Sequence, residues 1–270
     1  MVSGCPVTGD SSGGITYGGA LKISQLLQLQ KPFSPEPVHD EMQYVIIHQC
    51  SELWFKLLLH ELDAVVKESL GGDMWLAARL LRRCTMIVEL IDQGFSLMES
   101  MTAYDYAAFR PNLTGGSGFQ SAQFREVEIA LGCARPETLD QPAFTAEERS
   151  RIATRLQQPN LWAAFTAAMK RFGFPMPTRS EVAENPLLAA EVQRVLRDVY
   201  VGGTQPALRE VSEELMALDN TLGRWRTHHA VMAERAIGLK VGTGGEGVEY
   251  LYQSARIRCF PELIALRTGL

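Results

Sequence analysis

Between Leu208 and Ala236 the chain repeats apolar side chains at steps of three and four residues: Leu208, Val211, Leu215, Leu218, Leu222, Trp225, Met232 and Ala236. That spacing places them on one face of a single long helix. A face so long needs other helices to cover it. One slot of the stripe is held by His229, among apolar neighbours. A buried imidazole without a partner costs about 1–3 kcal/mol, so the residue needs either a hydrogen bond or a ligand. The stripe runs into a glycine-rich loop, GTGGEG, at 242–247.

The rest of the chain follows the same period, and strand signals are scarce. The pattern predicts a short helix near 20–29, a proline-rich connector (KPFSPEPVHD), and helices over 40–69, 73–101, 120–131, 146–155, 160–172, 186–200 and 206–239, with a last one starting near 247. GFPMPTR at 173–179 reads as a loop. The segment 40–69 is apolar nearly all round, which assigns it to the centre of the core, and it carries His48 with Tyr44 and Glu52 one turn to either side. The expected architecture is all-α, a helical bundle with buried sites between facing helices. Residues 1–15 read as a flexible tail and 16–270 as a single domain.

Composition removes several classes of function. A formal charge of -5 argues against nucleic acid or an anionic membrane as the main partner. No apolar run reaches the roughly 18 residues of a membrane span, and the N-terminus has neither the basic start nor the apolar stretch of a signal peptide. The five cysteines (Cys5, Cys50, Cys84, Cys133, Cys259) are scattered without a CxxC pair. That suggests neither a zinc site nor a disulfide framework, and fits reduced thiols in the cytoplasm.

Familiar signatures occur literally and fail on context. GTGGEG matches GxGxxG but follows a helix, not the strand that a dinucleotide fingerprint requires. HELDA lacks the second histidine of a zinc-protease motif, since Ala64 stands there. Glu36 and His39 have the Glu-x-x-His spacing of di-iron bundles, yet sit among prolines and have no second copy. His229 remains, either as a core histidine or as the axial ligand of a haem, which needs one imidazole facing an apolar cavity. The absence of CxxCH makes a non-covalent haem the compatible form. His48 is either a distal-side hydrogen-bonding group or a second core histidine. Periodicity alone leaves both pairs open.

Five blocks in order, TYGGALKISQLLQLQ, HDEMQYVIIHQCSELWFKLLLHEL, FRPNLTGGSGFQS, HHAVMAERAIG and GTGG, resemble the tryptophan 2,3-dioxygenase family of haem enzymes. The resemblance runs from about Thr16 to Leu266. It implies haem b held by the iron ligand His229, a distal His48 facing the substrate indole N–H, and Ser117 near the haem edge. It implies Arg110 as the clamp on a substrate carboxylate, a task suited to a planar fork of donors. Tyr106 and Phe109 stand beside it, and Thr243 closes over the amino-acid end. It further implies homotetramers in which Tyr17 and Leu21 serve the adjacent subunit's pocket. Dioxygen and a small indole are the partners expected.

Three positions depart from the family pattern. Ala20 replaces a tyrosine, Tyr44 replaces a phenylalanine, and the acidic Glu246–Gly247 shortens the loop after GTGG. The resemblance therefore implies cleavage of the indole C2–C3 bond of L-tryptophan to N-formylkynurenine. An alternative is a haem monooxygenase hydroxylating a substituted indole, such as a 2- or 3-methylated one, at C3 in a biosynthetic pathway. A haem-binding sensor or carrier without turnover is disfavoured by the retention of His48, Arg110, Ser117 and Thr243.

Overall fold

A computed structural model describes residues 16–113, 118–242, 245 and 247–270, the Phe119 side chain excepted. Its helices are α1 (Tyr17–Ala20), α2 (Ile23–Leu26), α3 (Glu41–Gly71), α4 (Met74–Met98), α5 (Ala103–Phe109), α6 (Ala122–Leu131), α7 (Ala146–Leu156), α8 (Leu161–Arg171), α9 (Arg179–Glu184), α10 (Leu188–Gly202), α11 (Pro206–Ile237), α12 (Val248–Ala255) and α13 (Pro261–Gly269). Short 3-10 turns lie at Arg110–Leu113, Gly118–Gln120 and Pro136–Thr138. No strand occurs among the described residues, as the helical period requires. The expected tail, residues 1–15, lies outside them.

The frame is set by three long helices. α3 runs 31 residues, about 46 Å at 1.5 Å per residue. It stops at Gly72, whose φ of 96° suits a residue without Cβ. Asp73 then accepts from the Leu76 backbone N–H at 2.9 Å and starts α4 antiparallel to it. α4 lies between α3 and α11 and packs against both. Ala77, Ala78, Leu81 and Cys84 fill that seam and are essentially sealed from solvent. α11 begins with Pro206 in its first turn, where the missing N–H costs nothing. α6 and α8 pack on α3, α12 on α11, and α13 on α10.

α3 departs from its expected place at the centre of the core. Val45, Leu58, Leu62 and Val65 are buried, but Met42, Ile46, Leu53 and Leu57 stand exposed on the opposite face. α4, α6 and α8 leave that face uncovered, so an all-round apolar helix keeps an exposed apolar stripe in the single chain. Glu41, fully buried at its start, accepts from the backbone N–H groups of Phe33 (2.5 Å) and Ser34 (2.7 Å) and folds the proline-rich connector onto it. Glu36 and His39 lie in that connector, as expected.

Candidate functional site

The stripe on α11 changes character along its length. Leu208 through Leu222 are buried in the core, whereas Trp225, His229, Met232 and Ala236 line a cavity. The cavity measures about 260 Å³, counted as the space in which the centre of a water molecule can move. Its walls come from α3, the end of α4, α5, α6, α11 and α12, with Gly118, Gly242 and Gly247 between the helices.

His229 stands against Phe95, ring centroids 4.9 Å apart, and near-parallel to Trp225 at 6.3 Å. Neither ring nitrogen has a hydrogen-bond partner among the described residues. Burial, seconded by His48 and His228, lowers its pKa to about 4. At neutral pH it is an uncharged imidazole with a lone pair to offer. The preceding His228 has the opposite fate. Its Nδ1 meets Asp92 on α4 at 2.6 Å and its Nε2 meets Glu99, the residue that caps the end of that helix, at 3.4 Å. Partial burial opposes its protonation, but the two carboxylates outweigh that and hold its pKa above the ordinary value.

His48 lines the same cavity from α3. Its Nδ1 lies 2.8 Å from the Tyr44 carbonyl, which can only accept. Nδ1 therefore carries the proton, and Nε2 is left as an acceptor. Burial lowers the pKa of His48 against the pull of that bond and of Glu52, so the neutral form prevails at pH 7. The Tyr44 ring lies tilted against His48, centroids 4.0 Å apart, and 6.1 Å from Tyr106. Phe109 does not line the cavity; it is fully buried behind Tyr44 (5.5 Å) and Tyr106 (5.4 Å) and fixes their rings. Arg110 also faces the cavity. One of its terminal nitrogens donates to the Val241 carbonyl, and its buried Nε has no partner among the described residues.

The opposite end holds charges that motif searching passed over. Arg125, Glu128 and Arg226 line the cavity and are each almost wholly buried. Glu128 receives Arg125 at 2.8 Å and Arg226 at 2.7 Å, two guanidiniums against one carboxylate. Tyr250 of α12 lies beside them, with Arg135 donating to its hydroxyl and stacked 4.7 Å over its ring. The signal was present in FREVE, where i and i+3 charges flank apolar positions, but its partner Arg226 is distant in sequence.

Other expectations fall elsewhere. Ser117, Thr243 and Glu246 lie outside the described residues, although Gly118 and Gly242 beside the first two are on the cavity wall. Tyr17 and Leu21 are exposed near the start of the chain and do not line this chain's cavity; Ala20 is exposed as well.

The family model described as tryptophan 2,3-dioxygenase matches residues 3–171 and 189–270. A protein of that name from Nocardioides sp. is 38% identical over 97% of this chain and 97% of its own length. One from Herpetosiphon aurantiacus is 38% identical over 95% and 98%, and one from Xanthomonas oryzae pv. oryzae 36% over 97% and 90%. The chain belongs to the tryptophan 2,3-dioxygenase family.

The haem that this family implies can be tested against the residues present. His229 is an unpartnered neutral imidazole on a cavity wall. The indole Nε1 of Trp225 is buried there without a partner among the described residues. Among those residues no cluster of three His, Cys, Asp or Glu could hold a bare metal ion. A single imidazole holds iron when a macrocycle supplies the other ligands. An aromatic wall at one end and a doubly cationic one at the other match an apolar ring with acidic substituents. The residues of this dioxygenase-family cavity fit the group.

Proposed function

We propose that this chain is a haem-dependent dioxygenase converting L-tryptophan and O2 to N-formylkynurenine. The observation that carries the reading is one cavity shared by the unpartnered His229, the Nε2 acceptor of His48 and Arg110 with its buried, unpartnered Nε. His229 would hold the haem iron, and Arg125, Arg226 and Tyr250 would hold the acidic side chains of the haem. When bound, the ferrous group supplies the activation of dioxygen.

The protein's own work is orientation and exclusion of water. His48 Nε2 accepts the indole N–H, which fixes the ring plane. Arg110 receives the substrate carboxylate in a charge-assisted pair. Tyr44 and Tyr106, braced by Phe109, form the aromatic wall beside the indole. Both oxygen atoms of O2 end in the product, so the residues need neither supply nor remove a net proton. Ser117 and Thr243 keep the roles that the resemblance gives them. The shared name of the relatives favours the two-oxygen reading over single-atom hydroxylation.

The same reading extends to assembly. Copies of the chain cover the exposed face of α3 in a homotetramer, and Tyr17 and Leu21 reach a neighbour's cavity. No helix among the described residues is long and apolar enough to cross a membrane, and we place the protein in the cytoplasm.

The purified protein, supplied with haem, is expected to show a Soret band and to form a product carrying both atoms of labelled O2. Incorporation of one atom would replace the reading with a monooxygenase, and failure to take up haem would overturn it.

A further inference from the structure

The fold brings together two cysteines that the sequence scatters. Cys133 follows the Gly132 cap of α6, and Cys259 lies between α12 and α13. Their sulfurs are 2.9 Å apart and both thiols are free. A disulfide needs about 2.05 Å, so closure asks for a movement under about 1 Å.

The frame around the pair is built independently of the sulfurs. Arg179 donates to the Gly132 carbonyl at 2.9 Å and to the Cys259 carbonyl at 2.7 Å, clamping the two backbones with one guanidinium. Glu262 holds that guanidinium at 2.6 and 2.8 Å. The Cys259 N–H is fixed to Asp219 at 3.0 Å, and the Cys133 N–H to the Glu128 carbonyl at 3.0 Å. Arg226 brings positive charge to Cys133 while donating to the Ile257 carbonyl at 3.3 Å.

The two thiols are unequal. Cys259 is sealed from solvent, whereas Cys133 is only half-buried. The hydrogen bond from Cys259, helped by Arg226, holds the Cys133 thiol below its ordinary pKa against the opposing effect of burial. The same bond pushes Cys259 up. A stabilised thiolate that a small oxidant can reach is the nucleophile of such a pair.

We propose that Cys133 and Cys259 form a reversible dithiol–disulfide site oxidised by hydrogen peroxide, with Cys133 the attacking and Cys259 the resolving sulfur. The Cys133 thiolate attacks one peroxide oxygen, the O–O bond breaks, and the departing hydroxide takes up the proton released by the thiol and leaves as water, giving a sulfenic acid. Cys259 then attacks that sulfur, the S–O bond breaks and a second water leaves. Two thiols and one peroxide become one disulfide and two waters. The bond ties the segment after α12, which lines the cavity, to the end of α6, which carries Arg125 and Glu128.

The test uses the full-length protein, reduced, freed of reductant and treated with equimolar hydrogen peroxide. Free thiols are then alkylated and peptides mapped without reduction. The expected result is a Cys133–Cys259 peptide, an intact mass lower by about 2 Da, and full reversal by dithiothreitol, with Cys50 and Cys84 unbridged. In Cys259→Ser, dimedone is expected to label Cys133; in Cys133→Ser, it leaves Cys259 unlabelled. Recovery of both thiols fully alkylated after peroxide has oxidised the exposed Cys50 would overturn the site. Labelling of Cys259 in Cys133→Ser would overturn the assigned roles. Mapping of the unsubstituted protein decides the site even where a serine variant fails to fold.

Discussion

At the α3–α5 end of the cavity one guanidinium, Arg110, stands beside aromatic rings with its Nε unused, whereas at the α6–α11 end two guanidiniums share the carboxylate of Glu128 in near-complete burial. The first end is built to exchange a ligand, because its donor gains a partner only when something enters. The second is set deep within the fold, its two guanidiniums gripping one buried carboxylate and leaving a net positive charge for an anionic group. His229 lies between them and belongs to neither network. On the proposed reading the first end takes the substrate and the second anchors the cofactor, and substitutions at the two ends ought to fail differently.

The largest effect is expected where both ends depend on one atom. If His229 holds the haem iron, His229→Ala should lower haem affinity by more than the roughly 10–100-fold typical of losing an outer partner. Exogenous imidazole should restore the Soret band. His228→Ala, one position away, should keep that band, because its nitrogens are already committed to Asp92 and Glu99. Absorbance titration of the two variants with haem checks this, and equal losses would erase the distinction between them.

Next comes the anchored end. Glu128→Gln leaves two buried guanidiniums facing a neutral amide. Losing one member of a buried ion pair costs about 3–5 kcal/mol, so the urea midpoint should drop sharply even without haem. The same truncation logic at Arg110 predicts a binding defect and little change in stability. Arg110→Leu should raise KM for L-tryptophan by about 10–100-fold, from 1.5–3 kcal/mol of charge-assisted bonding. Turnover of an indole lacking the carboxylate should be unaffected. A matching drop in urea midpoint for Arg110→Leu would remove the contrast between the ends.

The α11 stripe and the long helices were legible because burial imposes a period on the sequence, and their observed limits differ from the expected ones by a few residues. α9 escaped, lying between the expected loop at 173–179 and the expected helix from 186, although Thr178 and Glu181 form a capping box that TRSE spells out. α5 escaped because it spans one 7-residue piece with a single buried position. The expected last helix divides at Phe260–Pro261, where proline favours a new start. His229 was visible as a polar residue in an apolar row, but no period tells a core from a cavity; only the third dimension shows that the stripe outruns its packing partners after Leu222. The Arg125–Glu128–Arg226 cluster and the Cys133–Cys259 pair join positions about a hundred residues apart, and no local spacing encodes them.

The smallest expected effect sharpens the substrate end alone. Tyr44 contributes two separable things to His48: a ring packed against it at 4.0 Å and a backbone carbonyl at 2.8 Å that fixes the tautomer. Tyr44→Phe keeps both and deletes only the hydroxyl, which has no hydrogen-bond partner among the described residues. A neutral hydrogen bond is worth about 0.5–1.5 kcal/mol. If tryptophan leaves the hydroxyl unused, kcat/KM should stay within about threefold of the parent, since less than one such bond is at stake. A loss of about tenfold would mean the hydroxyl binds the substrate, and would favour an indole bearing an extra polar group at that wall. Steady-state kinetics with tryptophan and ring-substituted indoles, run in parallel on both proteins, separates the two outcomes.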